Sequence, residues 1–149
     1  MPFIMKKALA GLLLIVLVLS IPLTSFAYGV SVIIPDDQYA TCRKVSTKRI
    51  SFRCEVKNTN PSKRVKSYEL TYYTADEYRM QNGPTEKVTL RQDIRPYETI
   101  LSPEFFLSNS NVNNIYYVYV AVTRVRYDDG STESDSSPRY FGWILKGYY

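Results

Sequence analysis

Beyond its first 27 residues this sequence predicts an all-β domain, a single antiparallel sandwich. Three observations predict it. β-Branched and aromatic residues gather in short runs, several of which alternate apolar with polar positions. Turn-forming residues interrupt those runs roughly every 8–12 positions. No window past residue 27 spaces its apolar residues as a helix would.

The first segment reads as a targeting sequence. Lys6 and Lys7 precede an uncharged apolar run, Ala8 to Leu23, broken by Gly11, Ser20 and Pro22. Ser25-Phe26-Ala27 then places small residues at the −3 and −1 positions of a signal-peptidase site. The expectation is a signal peptide over 1–27, with an uncleaved N-terminal anchor as the alternative, and one sandwich domain over 28–149.

Within that domain Val30–Ile34 is a short strand stopped by Pro35, and Ala40–Val45 a second. Ile50–Asn58 alternates Ile50, Phe52, Cys54 and Val56 against Ser51, Arg53, Glu55 and Lys57, the pattern of a half-buried strand. Asn58 to Ser62 is a turn, since Pro61 cannot continue a ladder. Val65–Tyr73 and Lys87–Arg91 are strands around a polar loop containing Asn82-Gly83-Pro84. Thr99–Ser102 is a short strand ended by Pro103, and Phe105–Leu107 an apolar clip before a Ser/Asn-rich linker. The most ordered pattern lies in Asn114–Ser134: a long strand, covered on both faces up to Val122 and polar on one face from Arg124, turns at Asp128-Asp129-Gly130 into a hairpin. Tyr140–Tyr149 is a candidate last strand that closes the sandwich, or else an exposed aromatic tail. About seven or eight such strands make an immunoglobulin-like or fibronectin-III-like sandwich.

Cys42 and Cys54 are the only cysteines. Export to an oxidising compartment predicts a disulfide between them, with two buried free thiols as the alternative. Two thiolates without any histidine do not complete a zinc shell, so no metal and no cofactor is expected. The absence of histidine also removes Ser–His–Asp and Cys–His catalysis, leaving a histidine-free hydrolase as the remote enzymatic alternative. The aspartates at 128 and 129 lack the spaced ligand pattern of a calcium loop.

Charge is distributed unevenly. Arg43, Lys44, Lys48, Arg49, Arg53, Lys57, Lys63, Arg64 and Lys66 face Glu55 alone, whereas the chain after Lys66 has eight basic and eleven acidic residues. A basic stretch in an exported chain suits an anionic envelope polymer or a lipid surface, and nucleic acid is not expected there. Tyrosine is abundant, with 14 in the chain. Each ring offers apolar area and a hydroxyl at low entropic cost, which makes tyrosines candidates for contact with a ligand. The candidate binding residues are therefore Arg43, Lys44, Lys48, Arg49, Lys63, Arg64 and Lys66, with Tyr117, Tyr140 and Trp143.

Three turn motifs occur in order: Lys57-Asn58-Thr59, Pro96-Tyr97-Glu98-Thr99 and Tyr127-Asp128-Asp129-Gly130-Ser131. With the strands around them, from about Ser51 to Glu133, the chain resembles small bacterial extracellular β-sandwich modules of uncharacterised function. These more often carry glycine where Tyr97 stands here. The resemblance implies an envelope-associated module and transfers no catalytic residue. The function expected is thus an exported, non-enzymatic binding module at the cell envelope. Its basic face and exposed tyrosines would meet an anionic partner or another exported protein. The alternative is an accessory or inhibitor protein that docks through the aromatic C-terminal run.

Overall fold

The computed structural model describes residues 29–35, 40–108 and 112–145, so the expected signal segment lies outside the described residues. Ten strands occur among them: β1 (Val32–Ile33), β2 (Ala40–Ser46), β3 (Arg49–Asn58), β4 (Val65–Ala75), β5 (Glu86–Ile94), β6 (Thr99–Leu101), β7 (Phe105–Ser108), β8 (Tyr117–Tyr127), β9 (Thr132–Ser134) and β10 (Phe141–Ile144), with one 3-10 turn at Val112–Asn114. They form two antiparallel sheets, so the all-β, two-layer architecture is as expected. The clip Phe105–Leu107 turns out to be a strand, β7.

β3 organises the first sheet. One edge pairs with β1 at its C-terminal end and with β2 along the rest; the other pairs with β6 and β7. Its inward residues Ile50, Phe52, Cys54, Val56 and Asn58 are fully buried. The second sheet runs β10–β8–β4–β5, with β9 beside β8 beyond β10. Here the inward set is Tyr68, Leu70 and Tyr72 from β4, facing Val118, Val120, Val122, Val125 and Tyr127 from β8. That set changes parity after Val122. Val122 pairs with Leu70 but Arg124 with Glu69, so Thr123 is an extra residue, a β-bulge, and Val125 and Tyr127 return to the core while Arg124 and Arg126 turn to solvent.

Aromatic packing joins the layers. Phe52 lies 5.2 Å from Phe105 and 5.1 Å, edge-on, from Trp143. Phe141 and Trp143 thus belong to a strand that packs on the core. The Tyr68 hydroxyl donates to Gln92 (2.7 Å), whose Nε2 donates to the Leu101 carbonyl (2.7 Å), a second link between the sheets.

The expected bridge between Cys42 and Cys54 is not formed; both are free, buried thiols. The register explains it. Cys42 pairs with Phe52 and Cys54 with Ala40, which sets the two cysteines at diagonal positions. Diagonal neighbours sit about 7–8 Å apart, farther than the usual Cα separation of a disulfide. Burial pushes both thiols up to about 12. Because the thiolate is the reactive form, the native protein should resist iodoacetamide near neutral pH and take up two labels only on unfolding, which intact mass would read. The sign of the pH effect follows from the same burial. The folded pKa values lie above the unfolded ones, so this contribution to stability is full below about pH 9. It declines as pH rises toward 12, by at most about 1.4 kcal/mol per pH unit for each group.

Tyr97 occupies the left-handed region at φ 62° and is largely exposed. Its turn is closed by Glu98, which donates its N–H to the Arg95 carbonyl (3.1 Å) while its carboxylate accepts from the Arg95 N–H (2.7 Å). A left-handed conformation costs an ordinary residue about 1–2 kcal/mol, part of which glycine recovers. Tyr97→Gly should therefore raise stability by about 0.5 kcal/mol, readable as a higher urea midpoint.

Candidate functional site

The basic stretch does not form one surface. Arg43, Lys48 and Arg49 lie at the start of β3 and the β2–β3 hairpin; Lys63 and Arg64 follow the other end of β3, about 30 Å away at the rise of a strand. The second group is paired with acids: Lys63 with Asp129 (3.3 Å), and Arg64 and Lys66 with Asp93 (3.2 and 3.5 Å). In the first group Arg43 lies 4.0 Å from Glu104, and Arg49 stacks over Phe106 at 3.7 Å. Lys44, on β2, is half-buried. These pairs are solvent-exposed and each is worth no more than about 1 kcal/mol. Trp143 is partly buried and packs its ring inward on Phe52.

Tyr117 and Tyr140 do come together, and they bring partners. β4 and β8 pair Tyr73 with Tyr119, and both side chains stand on the outer face of the second sheet. Their rings stack at 4.9 Å and 15°. Tyr140 meets Tyr73 edge-on at 5.1 Å, and Tyr117 lies 6.3 Å from Tyr119 with the Arg79 guanidinium 5.3 Å from its ring centre. Glycine makes this possible. Gly142 on β10 pairs with Tyr119, and a Cβ there would lie 2.6 Å from Cε1 of that ring. Burial, reinforced by the neighbouring phenols Tyr119 and Tyr140, raises the Tyr73 pKa.

Next to the rings is a hydrogen-bonded row created by the Thr123 bulge. Thr123 Oγ1 donates to Glu69 Oε1 (2.9 Å), so its 2.7 Å bond to Thr71 Oγ1 is donated by Thr71. Lys87 Nζ closes the row 3.3 Å from the same carboxylate oxygen. Around it lies a depression of about 380 Å³ whose walls include Arg124, Asp135 and Tyr140. A second depression, of about 320 Å³, runs on toward Arg126 and Thr132 and shares Glu69 and Arg124 with the first. The outer face of this sheet is therefore a shallow groove with an aromatic platform at one end. Among the described residues, no three of Cys, Asp or Glu gather as a metal site.

The candidate binding residues read from the sequence include Tyr117 and Tyr140 but not Tyr73 or Tyr119, which stand out there only as members of tyrosine clusters, nor Glu69, Thr71, Thr123 or Lys87. The alternation in Val65–Tyr73 contains part of the signal, because with Tyr68, Leu70 and Tyr72 inward, Glu69, Thr71 and Tyr73 must face out.

No family model matches the chain, and no curated protein matches it. The chain is similar to the solution structure of AT1g01470 from Arabidopsis thaliana, with 13% identity, a TM-score of 0.48, and coverage of 78% of this chain and 85% of that one. A likeness of that degree carries no argument about function.

Proposed function

We propose that the chain is an exported, non-enzymatic binding module that acts at the cell envelope, and that it binds through the outer face of the β10–β8–β4–β5 sheet. The observation that carries this reading is the gathering of Tyr73, Tyr117, Tyr119 and Tyr140 from three separate segments onto one face, beside an open groove. An outer face needs no such cluster to cover the core, whose inward residues on the same strands already do that. The dispersal of the basic residues shifts the reading away from long-range charge attraction and toward short-range contact.

The test is retention of the protein on isolated cell envelopes while salt is raised. Contacts between exposed charges are screened within about 3 Å at about 1 M salt, whereas aromatic contact is not. Retention through that salt, lost in Tyr73→Ala and kept in Arg43→Glu and Arg49→Glu, is the expected result. Release at moderate salt with no dependence on Tyr73 would overturn it.

A further inference from the structure

We infer that the groove binds a neutral polysaccharide chain, with sugar rings stacked on the Tyr73–Tyr119 platform and sugar hydroxyls meeting the Thr71–Thr123–Glu69–Lys87 row. The inference rests on the binding face proposed above and names its ligand.

β4 and β8 are each paired on both edges, so along these two central strands the backbone groups are engaged and a ligand meets side chains. That removes the usual way of binding an extended peptide, which adds a strand at a free edge. The side chains it meets in the larger depression are a phenol ring, hydroxyls, two carboxylates, one ammonium and one guanidinium group, with no aliphatic side chain beyond Pro138 to hold a peptide anchor. A pyranose ring is complementary to such a set. It presents a flat, C–H-rich face to an aromatic ring, and a rim of hydroxyls that each donate and accept.

Charge narrows the class. Together the two depressions set Glu69 and Asp135 against Lys87, Arg124 and Arg126, a net of one positive charge. So small an excess gives an anionic polymer or a lipid headgroup little advantage over a neutral chain. Shape agrees with a polymer. From Tyr117 to Arg126 the face extends about 30 Å along β8, and the two depressions adjoin at Glu69 and Arg124, which line both. Several sugar units fit along such a run.

Tyr119 gives the platform its own specific test. Gly142→Val keeps every tyrosine but puts a branched side chain where the Tyr119 ring now lies, so it should disturb the stack without removing a ring.

The experiment is electrophoretic retardation of the full chain in gels containing hydroxyethylcellulose, xylan, galactomannan, laminarin or dextran, with dextran sulfate and phosphatidylglycerol vesicles as charged comparisons. At least one neutral polysaccharide should retard the protein, with little change as salt is raised. Tyr73→Ala and Gly142→Val should each weaken retardation about tenfold or more, and Arg49→Ala should not. Circular dichroism of each variant checks folding, and Tyr73→Ala serves if Gly142→Val does not fold. Retardation by none of the five overturns the inference, as does binding only to dextran sulfate or vesicles, or binding unchanged in Tyr73→Ala. If no polysaccharide binds but envelope retention still depends on Tyr73, the ligand class is wrong and the binding face stands. If retention ignores Tyr73 as well, both fall.

Discussion

Phe52→Ala should cost about 3–5 kcal/mol, a large part of what a domain of this size has to lose. Phe52 is completely buried in the one strand that pairs with four others, and it touches aromatic partners from two directions: Phe105 on β7 of its own sheet and Trp143 on β10 of the opposite one. Truncation therefore leaves a cavity between layers whose walls are held by different ladders and cannot easily collapse. Trp143, the only tryptophan, reports on the site directly. Its fluorescence in the folded variant should change, and the urea midpoint should fall. Phe106→Ala is the comparison. That ring is 41% exposed on the outer face of the first sheet under Arg49, and its loss should cost less than about 1 kcal/mol. Equal losses at the two positions would contradict the assignment of Phe52 to the core and Phe106 to the surface.

The same strand shows what local sequence can and cannot convey. The alternation is legible from Ile50 to Lys57 because inward and outward positions there differ in polarity at every step, and it ends at Asn58, a buried polar residue. Period two then failed at Thr123, where the bulge moved Val125 and Tyr127 to the core face; nothing in the sequence marks a threonine as the extra residue. The basic stretch misled for a different reason. Neighbours in sequence separate by about 3.3 Å per residue in a strand, so a run that looks concentrated in sequence is stretched across the molecule. The cysteine pair was expected to bridge because export implies an oxidising compartment, but the pairing register decides, and it puts Phe52 opposite Cys42. The tyrosine platform was partly visible through Tyr117 and Tyr140. Its stacked centre was not, because Tyr73 and Tyr119 meet only through the β4–β8 register, and Gly142 matters only because β10 lies alongside Tyr119.

Asn58→Asp is expected to destabilise the protein by about 3–5 kcal/mol at neutral pH, and by markedly less near pH 4. The turn motif that contains Asn58 is a clamp between the sheets. Its Nδ2 donates to the Lys63 carbonyl (2.8 Å) and to the Ile94 carbonyl at the end of β5 (3.1 Å), while Oδ1 accepts from the Asn60 N–H (2.9 Å), and the residue is fully buried. Replacing the amide nitrogen by oxygen keeps the size and the Asn60 bond. It turns two donors into an acceptor facing two carbonyl oxygens, in a fully buried site. Burial and those carbonyls both disfavour the ionised form, so the carboxyl's folded pKa rises above its unfolded value of about 3.9. A raised folded pKa means that stability is greatest below the unfolded value and is lost as pH climbs through the folded one. Below that window the neutral acid still has one O–H to donate to Lys63 or Ile94. Urea unfolding of variant and wild type at pH 4 and pH 7 measures the difference directly. A penalty equal at both pH values would mean that the side chain at position 58 rotates away from the two carbonyls, and the clamp would then depend on the backbone bond from the Asn58 N–H to the Glu98 carbonyl (3.0 Å) instead.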